Sequence, residues 1–204
     1  TNGGSFQFSV NENNWLGKGI SVSTSLEIGA ETFKGGLKVT DPNYNYSGNS
    51  LNYFISNTQN DKPNSGFKNS IITTGIGTKF EQYRNVYLSP NLKFSYDDLK
   101  VEDSASDALK KQKGGFSDLS FDYAISLDNR DKVYAPTAGY ISTFTQTLPI
   151  YADSPFMKNS YNFAQYQSFS EEAVGSFKFD ISAINGLNDY DVRLNKRLGS
   201  RKIR

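Results

Sequence analysis

The chain has 204 residues with a formal net charge of +1, and it contains neither cysteine nor histidine. This near-neutral balance argues against nucleic acid as a main partner, because phosphate binding requires a basic excess. The missing residue types exclude disulfides, thiol nucleophiles and histidine-based triads, and we expect no cofactor and no bound metal. No run of 18 apolar residues is present, so the sequence predicts no transmembrane helix.

The aromatic content indicates a folded protein. Hydrophobic residues make up 36% of the chain, but 15 Phe and 13 Tyr are among them. Disordered chains are poor in aromatic residues. We therefore expect a folded protein whose apolar surface is confined to single faces of its elements.

Alternation of apolar and polar residues with a period of two dominates the chain. In the first stretch, Phe6, Phe8 and Val10 fall on one face and polar residues fall on the other. In chain order, such stretches occur at 4–11, 19–28, 33–40, 51–58, 70–80, 87–97, 119–128, 140–148, 160–168 and 176–182. They predict about ten strands of roughly 8 to 12 residues, separated by turns rich in Asn, Asp, Gly and Pro.

Two features interrupt this pattern. Pro90 lies inside the stretch at 87–97, where it cannot donate a hydrogen bond to a neighbouring strand. The loop at 102–115 carries several helix-forming residues after Ser106 and ends in two glycines, which predicts one short helix capped by Ser106.

The sequence shows no repeat of 20–50 residues and no low-complexity linker, so we expect a single domain.

Two architectures produce antiparallel strands with one apolar face. In a soluble β-sandwich the apolar face packs into a core, whereas in an outer-membrane β-barrel it contacts lipid and the polar face lines a hydrated lumen. The predicted strands reach the roughly 9–11 residues that a tilted membrane strand needs, while soluble strands average about 5–6. Their polar faces consist largely of Ser, Thr, Asn and Gly, with few of the charges that protect exposed soluble sheets. Both features favour the barrel.

The turns supply a third argument for a barrel. Every second turn, counted from the first one, carries at least one aromatic residue, and a girdle at the membrane–water interface needs this placement. The candidate interfacial aromatics are Trp15, Tyr44, Tyr46, Tyr83, Tyr134 and Phe169. We expect them at the periplasmic interface. The long turn at 129–139 argues against this interpretation, because periplasmic turns of such barrels are short.

Several turn motifs, taken in order, resemble the barrel of the BamA-type outer-membrane protein insertases, the bacterial surface antigen barrel family. They are "NNWLGKG" between two alternating strands, "DPNYNYSGN" two strands later, and "LDNRDKVYAPTAGYIS". The last is similar to the family's Asp/Arg-x-x-x-x-Pro-Thr-x-Gly turn, and it accounts for the long turn at 129–139. The matching motif positions are Asn14, Trp15, Gly17, Pro136, Thr137 and Gly139.

The last residues, "GSRKIR", resemble the start of the family's lid-loop motif, a hydrophobic residue followed by Arg-Gly-Phe. Ile203 and Arg204 match its first two positions, and the sequence stops before the Gly and the Phe. The resemblance implies that Arg204 lies on a loop folded into the barrel lumen, where a carboxylate of the wall holds its guanidinium. In the family, that carboxylate belongs to later strands.

The resemblance implies that residues 1–204 are part of an all-β, antiparallel up-and-down transmembrane β-barrel, from its second to about its eleventh strand plus the start of the lid loop. A strand pattern begins by Ser5 with nothing leading into it, so we expect the chain to begin inside a larger protein. About ten strands should then form an open, curved sheet and not a closed barrel, because each edge strand lacks a partner.

The function implied by the resemblance is the folding and insertion of other barrel proteins in the bacterial outer membrane, without enzymatic chemistry. The implied partners are outer-membrane lipid, unfolded outer-membrane barrel clients, and accessory lipoproteins bound through periplasmic domains that the sequence lacks.

Three alternatives stay open on the sequence alone. Barrels of a translocation-assembly paralogue or of a two-partner secretion transporter share the lid-loop motif. A soluble β-sandwich that binds ligands or glycans has the same alternation. An outer-membrane enzyme would need a carboxylate site, and the candidates are Asp122 with Asp128, or Asp180 with Lys178.

Overall fold

Ten strands make up most of the protein. The structure, a computed structural model, describes residues 4–170, 173–188 and 192–193. The strands are β1 (Ser5–Trp15), β2 (Ile20–Gly29), β3 (Thr32–Asp41), β4 (Ser50–Lys62), β5 (Phe67–Tyr83), β6 (Val86–Val101), β7 (Gly114–Asp128), β8 (Gly139–Ala152), β9 (Phe156–Ser168) and β10 (Val174–Gly186). A single 3-10 turn (Pro63–Ser65) and a four-residue helix, α1 (Asp107–Lys110), lie in two connections. No helix in the described ranges is long and apolar enough to cross a membrane.

The strands form one sheet in which each strand pairs with its neighbours in sequence, so the order is β1 to β10. All of these pairings are antiparallel. Over the described residues β1 and β10 do not pair with each other, and the sheet is not closed by hydrogen bonds. The predicted all-β, up-and-down architecture with an open sheet of about ten strands is confirmed.

The up-and-down order places the turns at two opposite ends of the strands. The turns after β1, β3, β5, β7 and β9 lie at one end, which we call the Trp15 end. The connections after β2, β4, β6 and β8, which include α1, lie at the other end, which we call the α1 end. Alternate turns along the sequence therefore share one end of the sheet.

The two faces of the sheet differ in chemistry as the alternation predicts. On β6, Phe94 is directly opposite Thr74 of β5 and Leu119 of β7, whereas Ser95 is opposite Thr73 and Asp118. The fully buried or nearly buried polar side chains of the central strands all belong to the Ser95 face: Asn69, Ser95, Asp97, Asp118 and Ser120. Side chains crowd one another on the concave side of a curved sheet, so we call the Ser95 face the inner face and the Phe94 face the outer face.

Large apolar side chains cover the outer face and stay exposed. They include Phe6, Phe8, Leu37, Ile55, Ile72, Ile76, Leu92, Phe94, Phe121, Ile125, Phe177, Phe179 and Ile181. A soluble sandwich would bury this face against a second sheet. The described strands all belong to one sheet, and none packs on the outer face. The sandwich alternative is therefore wrong.

Several strands are longer than predicted, with 17 residues in β5, 16 in β6 and 15 in β7. Backbone pairing continues after the apolar alternation has ended, because ladder hydrogen bonds do not depend on side chains. Pro90 pairs with Tyr123 inside β6 and does not end the strand. The predicted helix is present, but Ser106 caps it without a side-chain hydrogen bond. Its backbone oxygen accepts the bonds from Leu109 and Lys110 instead.

Candidate functional site

The inner face carries charges that are paired across neighbouring strands. Lys93 Nζ of β6 donates to Asp122 Oδ2 of β7 at 2.6 Å, and both side chains are mostly shielded from solvent. Lys34 of β3 is directly opposite Glu27 of β2 and forms an ion pair with it at 3.1 Å. Cross-strand pairs of opposite charge stabilise a sheet, and they leave a polar, neutralised lining along the concave side.

The most deeply buried ion pair lies on the inner face towards the α1 end. Arg193 Nη1 is 3.1 Å from Asp97 Oδ2, and the side chains are 5% and 0% exposed. The guanidinium carbon of Arg193 also lies 3.5 Å from the centre of the Phe116 ring. Asp97 and Phe116 are direct cross-strand partners on β6 and β7, so one guanidinium contacts both members of the pair. A planar, weakly hydrated cation suits this combination of carboxylate and aromatic ring.

A cavity of about 410 Å³ lies beside this ion pair. Its lining combines inner-face residues of β4, β5 and β6 with two residues of the α1 connection and with Arg193. These residues are Asn60, Lys62, Phe67, Asn69, Ile71, Leu99, Leu109, Gln112 and Arg193. In the part of the chain that the structure describes, no group of three or more acidic, histidine or cysteine side chains is arranged to hold a metal ion.

The first predicted turn motif forms a tight connection between β1 and β2. The Oδ1 of Asn14 accepts a hydrogen bond from Gly19 N at 2.7 Å, and its backbone oxygen accepts one from Gly17 N at 3.0 Å. Gly17 and Gly19 both have a positive φ, near 70°, which glycine adopts without strain. The Asn and the two Gly residues of "NNWLGKG" are thus explained by the turn geometry, and Trp15 is the last residue of β1.

The second motif organises the long turn between β7 and β8. The carboxylate of Asp131 accepts hydrogen bonds from Thr137 Oγ1 at 2.5 Å, Thr137 N at 2.9 Å and Ala138 N at 3.1 Å. The Thr137 hydroxyl is the main cause that lowers the pKa of Asp131 below its usual range, followed by the Ala138 amide. Next to it, Arg130 binds Asp128 with two nitrogens, at 2.8 and 2.7 Å.

The structure brings the candidate interfacial aromatics together at the Trp15 end, where all of them are exposed. They are Trp15, Tyr44, Tyr46, Tyr83, Tyr134 and Phe169. Leu16 and Val133 add exposed aliphatic side chains to the same end. Tyr46 is almost fully exposed, and it has a positive φ of 58° within its turn.

The sequence matches the Omp85 superfamily domain over residues 14–198, which is most of the chain. The chain belongs to the Omp85 superfamily. This superfamily comprises outer-membrane barrels of protein insertion and secretion. The resemblance inferred from the turn motifs is thereby confirmed.

Among solved structures, the Omp85 domain is similar to the crystal structure of BamA from Haemophilus ducreyi lacking POTRA domains 1–3, with a TM-score of 0.75 and 18% sequence identity. The similarity covers 96% of this chain but 41% of that BamA chain. At this identity the similarity shows the fold, so the ten strands form a fragment of a BamA-type barrel. A search of the curated proteins gave no match.

The carboxylates considered for an enzyme site do not come together in the Omp85 domain. Asp122 and Asp128 lie six residues apart on β7, about 20 Å along the strand, and bind Lys93 and Arg130 respectively. Asp180 accepts a hydrogen bond from Asn162 of the neighbouring strand. The carboxylates of Asp122 and Asp128 belong to separate ion pairs and do not form an acid–base pair with each other.

The predicted lid-loop residues Ile203 and Arg204 lie outside the described residues. The sequence reasoning missed a different arginine, Arg193, and its partner Asp97. The available signal was a carboxylate at the polar position of a strongly alternating stretch, because an inner-face charge near a strand end requires a counter-charge. Nothing in the local pattern identified Arg193 as that counter-charge.

Proposed function

We propose that this Omp85 domain forms part of the wall of a bacterial outer-membrane barrel that folds and inserts other barrel proteins. The observation that supports this most strongly is the combination of Omp85 membership with an open ten-stranded sheet whose outer face is apolar and exposed. The outer face then contacts lipid, and the inner face lines a hydrated lumen. The exposed aromatics of the Trp15 end lie at the periplasmic interface, where amphipathic rings are favoured.

Three polar side chains on the outer face of β7, β8 and β9 fit contact with lipid because they satisfy one another. Tyr123 Oη donates to Gln146 Oε1 at 2.8 Å, and Gln146 Nε2 donates to Asn159 Oδ1 at 2.6 Å. These residues are direct cross-strand partners on β7, β8 and β9. An unpaired amide would be costly in hydrocarbon, whereas a chain of side-chain hydrogen bonds reduces that cost.

Folding and insertion of barrels require no covalent step, and we propose that the protein is not an enzyme. Its clients are unfolded outer-membrane proteins, which pair with exposed strand edges by β-augmentation. Accessory lipoproteins bind periplasmic domains that accompany such barrels. The similarity to BamA supports insertion over secretion, although the same superfamily includes both kinds of barrel.

We further propose that Ile203 and Arg204 begin the lid-loop motif and that Arg204 holds this loop inside the lumen through a carboxylate. Asn14, Gly17, Pro136, Thr137 and Gly139 shape the two turns and take no part in the insertion itself. Their contribution is the fixed register of the strands that they connect.

The test uses the full-length gene in its own host, under conditional depletion. Cells that depend on the Arg204→Ala variant should contain several-fold less folded porin in the outer membrane. Cells that depend on Arg201→Ala, a neighbouring arginine outside the motif, should match the wild type. Normal porin levels after depletion of the protein itself would overturn the insertase proposal, whereas normal levels in Arg204→Ala cells would overturn only the role of Arg204.

A further inference from the structure

We propose that Arg193 is a positioning residue that anchors the short segment 192–193, which follows β10 in the chain, to the inner face of β6 and β7, through Asp97. This anchor lies in the described part of the chain, and it is separate from Ile203 and Arg204. The inference does not depend on the insertase function, because it concerns how the chain is held and not what the barrel assembles.

The first argument is the position of the contact in the sheet. Arg193 follows β10, yet it contacts β6 and β7, and β8 and β9 lie between these strands and β10. Before it, Leu187 N still donates to Pro155 O, in the connection between β8 and β9. Leu187 is thus bonded beside β9, whereas Arg193 contacts the inner face of β6 and β7 at the centre of the sheet.

The second argument is the burial of the ion pair. Asp97 is the most deeply buried large side chain in the described residues, with no exposed surface. Removal of one partner of a buried pair is strongly destabilising, because it leaves an uncompensated charge. The contact between Arg193 and Asp97 thus fastens the segment to the wall far more firmly than an exposed ion pair would.

The third argument is the charge around the guanidinium. Burial lowers the pKa of the Arg193 guanidinium below its usual value, and the carboxylates of Asp97, Asp118 and Asp153 oppose this effect. Asp118 lies on the inner face of β7, and Asp153 follows β8 and accepts a hydrogen bond from Ser117 N at 2.7 Å. Three carboxylates from different elements therefore favour a cation at this position, and Phe116 supplies the flat surface on which a guanidinium stacks better than an ammonium.

The anchor also determines one wall of the cavity beside it. Arg193 lines the 410 Å³ cavity together with residues of β4, β5, β6 and the α1 connection. Release of Arg193 would remove this wall of the cavity.

The experiment measures access to Val192, the described neighbour of Arg193, in the full-length protein in lipid bilayers. The sequence has no cysteine in these 204 residues, so a cysteine at 192 can be labelled selectively once any others in the full-length chain are replaced. The rate of maleimide labelling is normalised to that of the denatured protein. Asp97→Asn removes the anchor, and Asp98→Asn is the matched control, because Asp98 lies on the outer face of the same strand.

We expect Asp97→Asn and Arg193→Gln to raise the labelling rate at residue 192 about tenfold or more, and Asp98→Asn to change it less than about twofold. Arg193→Lys should give an intermediate labelling rate. The lysine ammonium keeps the positive charge, but it lacks the planar guanidinium that stacks on the Phe116 ring and donates from several nitrogens. If the single variants fail to fold, the double variant Asp97→Asn/Arg193→Gln removes both charges of the buried pair and should still show the increase. Equal rates in folded Asp97 and Asp98 variants, or in the folded double variant and the wild type, would overturn the proposal.

Discussion

A Cβ atom on Gly139 would lie 2.1 Å from the backbone oxygen of Asn129. Gly139 begins β8 at the end of the long turn, and its φ is 92°, in the region that disfavours side chains. The atoms nearest to this Cβ position belong to the backbone of Asn129 and Arg130. Unlike a side chain, they cannot rotate to make room for it. This contact explains why the turn after "PTA" requires glycine.

Gly139→Ala should destabilise the protein by about 2–5 kcal/mol, from the strain of a positive φ and the overlap with the backbone. Gly17→Ala is the matched control: Gly17 also has a positive φ, but nothing lies within 4 Å of its Cβ position. That variant should lose only about 1 kcal/mol. Urea unfolding of the full-length protein in bilayers measures the stability of both variants. Equal losses of stability in the two variants would show that the overlap with the Asn129 backbone is not important.

Asp131→Ala should loosen the turn between β7 and β8, because one carboxylate accepts three of its hydrogen bonds. Hydrogen exchange at the amides of Thr137 and Ala138 should become much faster. The amide of Asp153, which is bonded to Ser117 O at the opposite end, serves as the control and should exchange at its usual rate. Unchanged protection at Thr137 would show that the carboxylate does not order the turn.

The stability of the same turn should decrease only when the pH becomes acidic. The pKa of Asp131 is lowered in the folded protein, so its stabilising effect is complete above the unfolded value of about 3.9 and is lost as the pH falls below it. Protection of Thr137 should therefore be constant from neutral pH to about pH 5 and decline under more acidic conditions. In Asp131→Asn the protection should be weaker and should not change over this range. A decline that begins near neutral pH would point to a different group.

Gln146→Ala should cost about 2 kcal/mol, because Tyr123 and Asn159 would each lose a hydrogen-bond partner on the outer face. The triple variant Tyr123→Phe/Gln146→Leu/Asn159→Leu removes all three polar groups and should be close to the wild type in stability. Thermal unfolding in bilayers compares the two. If the triple variant is less stable than Gln146→Ala, this part of the outer face does not contact hydrocarbon.

Lys93→Met should destabilise the barrel by about 1–2 kcal/mol, since it leaves Asp122 partly buried without its partner. Lys93→Met/Asp122→Leu should recover most of this loss. Lys34→Met is the control, because the pair with Glu27 is more exposed and should contribute less than about 1 kcal/mol. Equal losses for Lys93→Met and Lys34→Met would show that burial does not set the strength of these pairs.

Local alternation was sufficient to predict the strands and, except in β8, their two faces. Phe94 and Ser95 could be assigned to opposite faces because side-chain direction in a strand has a period of two, whatever lies further along the chain. In β8, polar and apolar residues occur on both faces, and Gln146 could be placed only from its pairing with Tyr123 and Asn159. The register of neighbouring strands supplies this information, and a single stretch of sequence does not contain it.

The Arg193–Asp97 pair could not be predicted for a related reason. The two residues are far apart in sequence, and their contact depends on the side of the sheet to which the chain turns after β10. The turn motifs, by contrast, were recognisable because Asn14 and Gly17, or Asp131 and Thr137, interact within a few residues. Short-range hydrogen bonds leave a pattern in the sequence, whereas an ion pair between residues far apart in the chain leaves only its separate charges.

The most direct test of the membrane orientation uses nitroxide labels at each position from Phe177 to Ser182 of β10 in the full-length protein in bilayers. Apolar and polar residues alternate along this segment, and none of them is buried. Collisions with oxygen should be frequent at Phe177, Phe179 and Ile181, and collisions with a water-soluble nickel complex should be frequent at Lys178, Asp180 and Ser182. A reversed pattern, or the absence of alternation, would contradict a barrel wall with lipid outside and water inside.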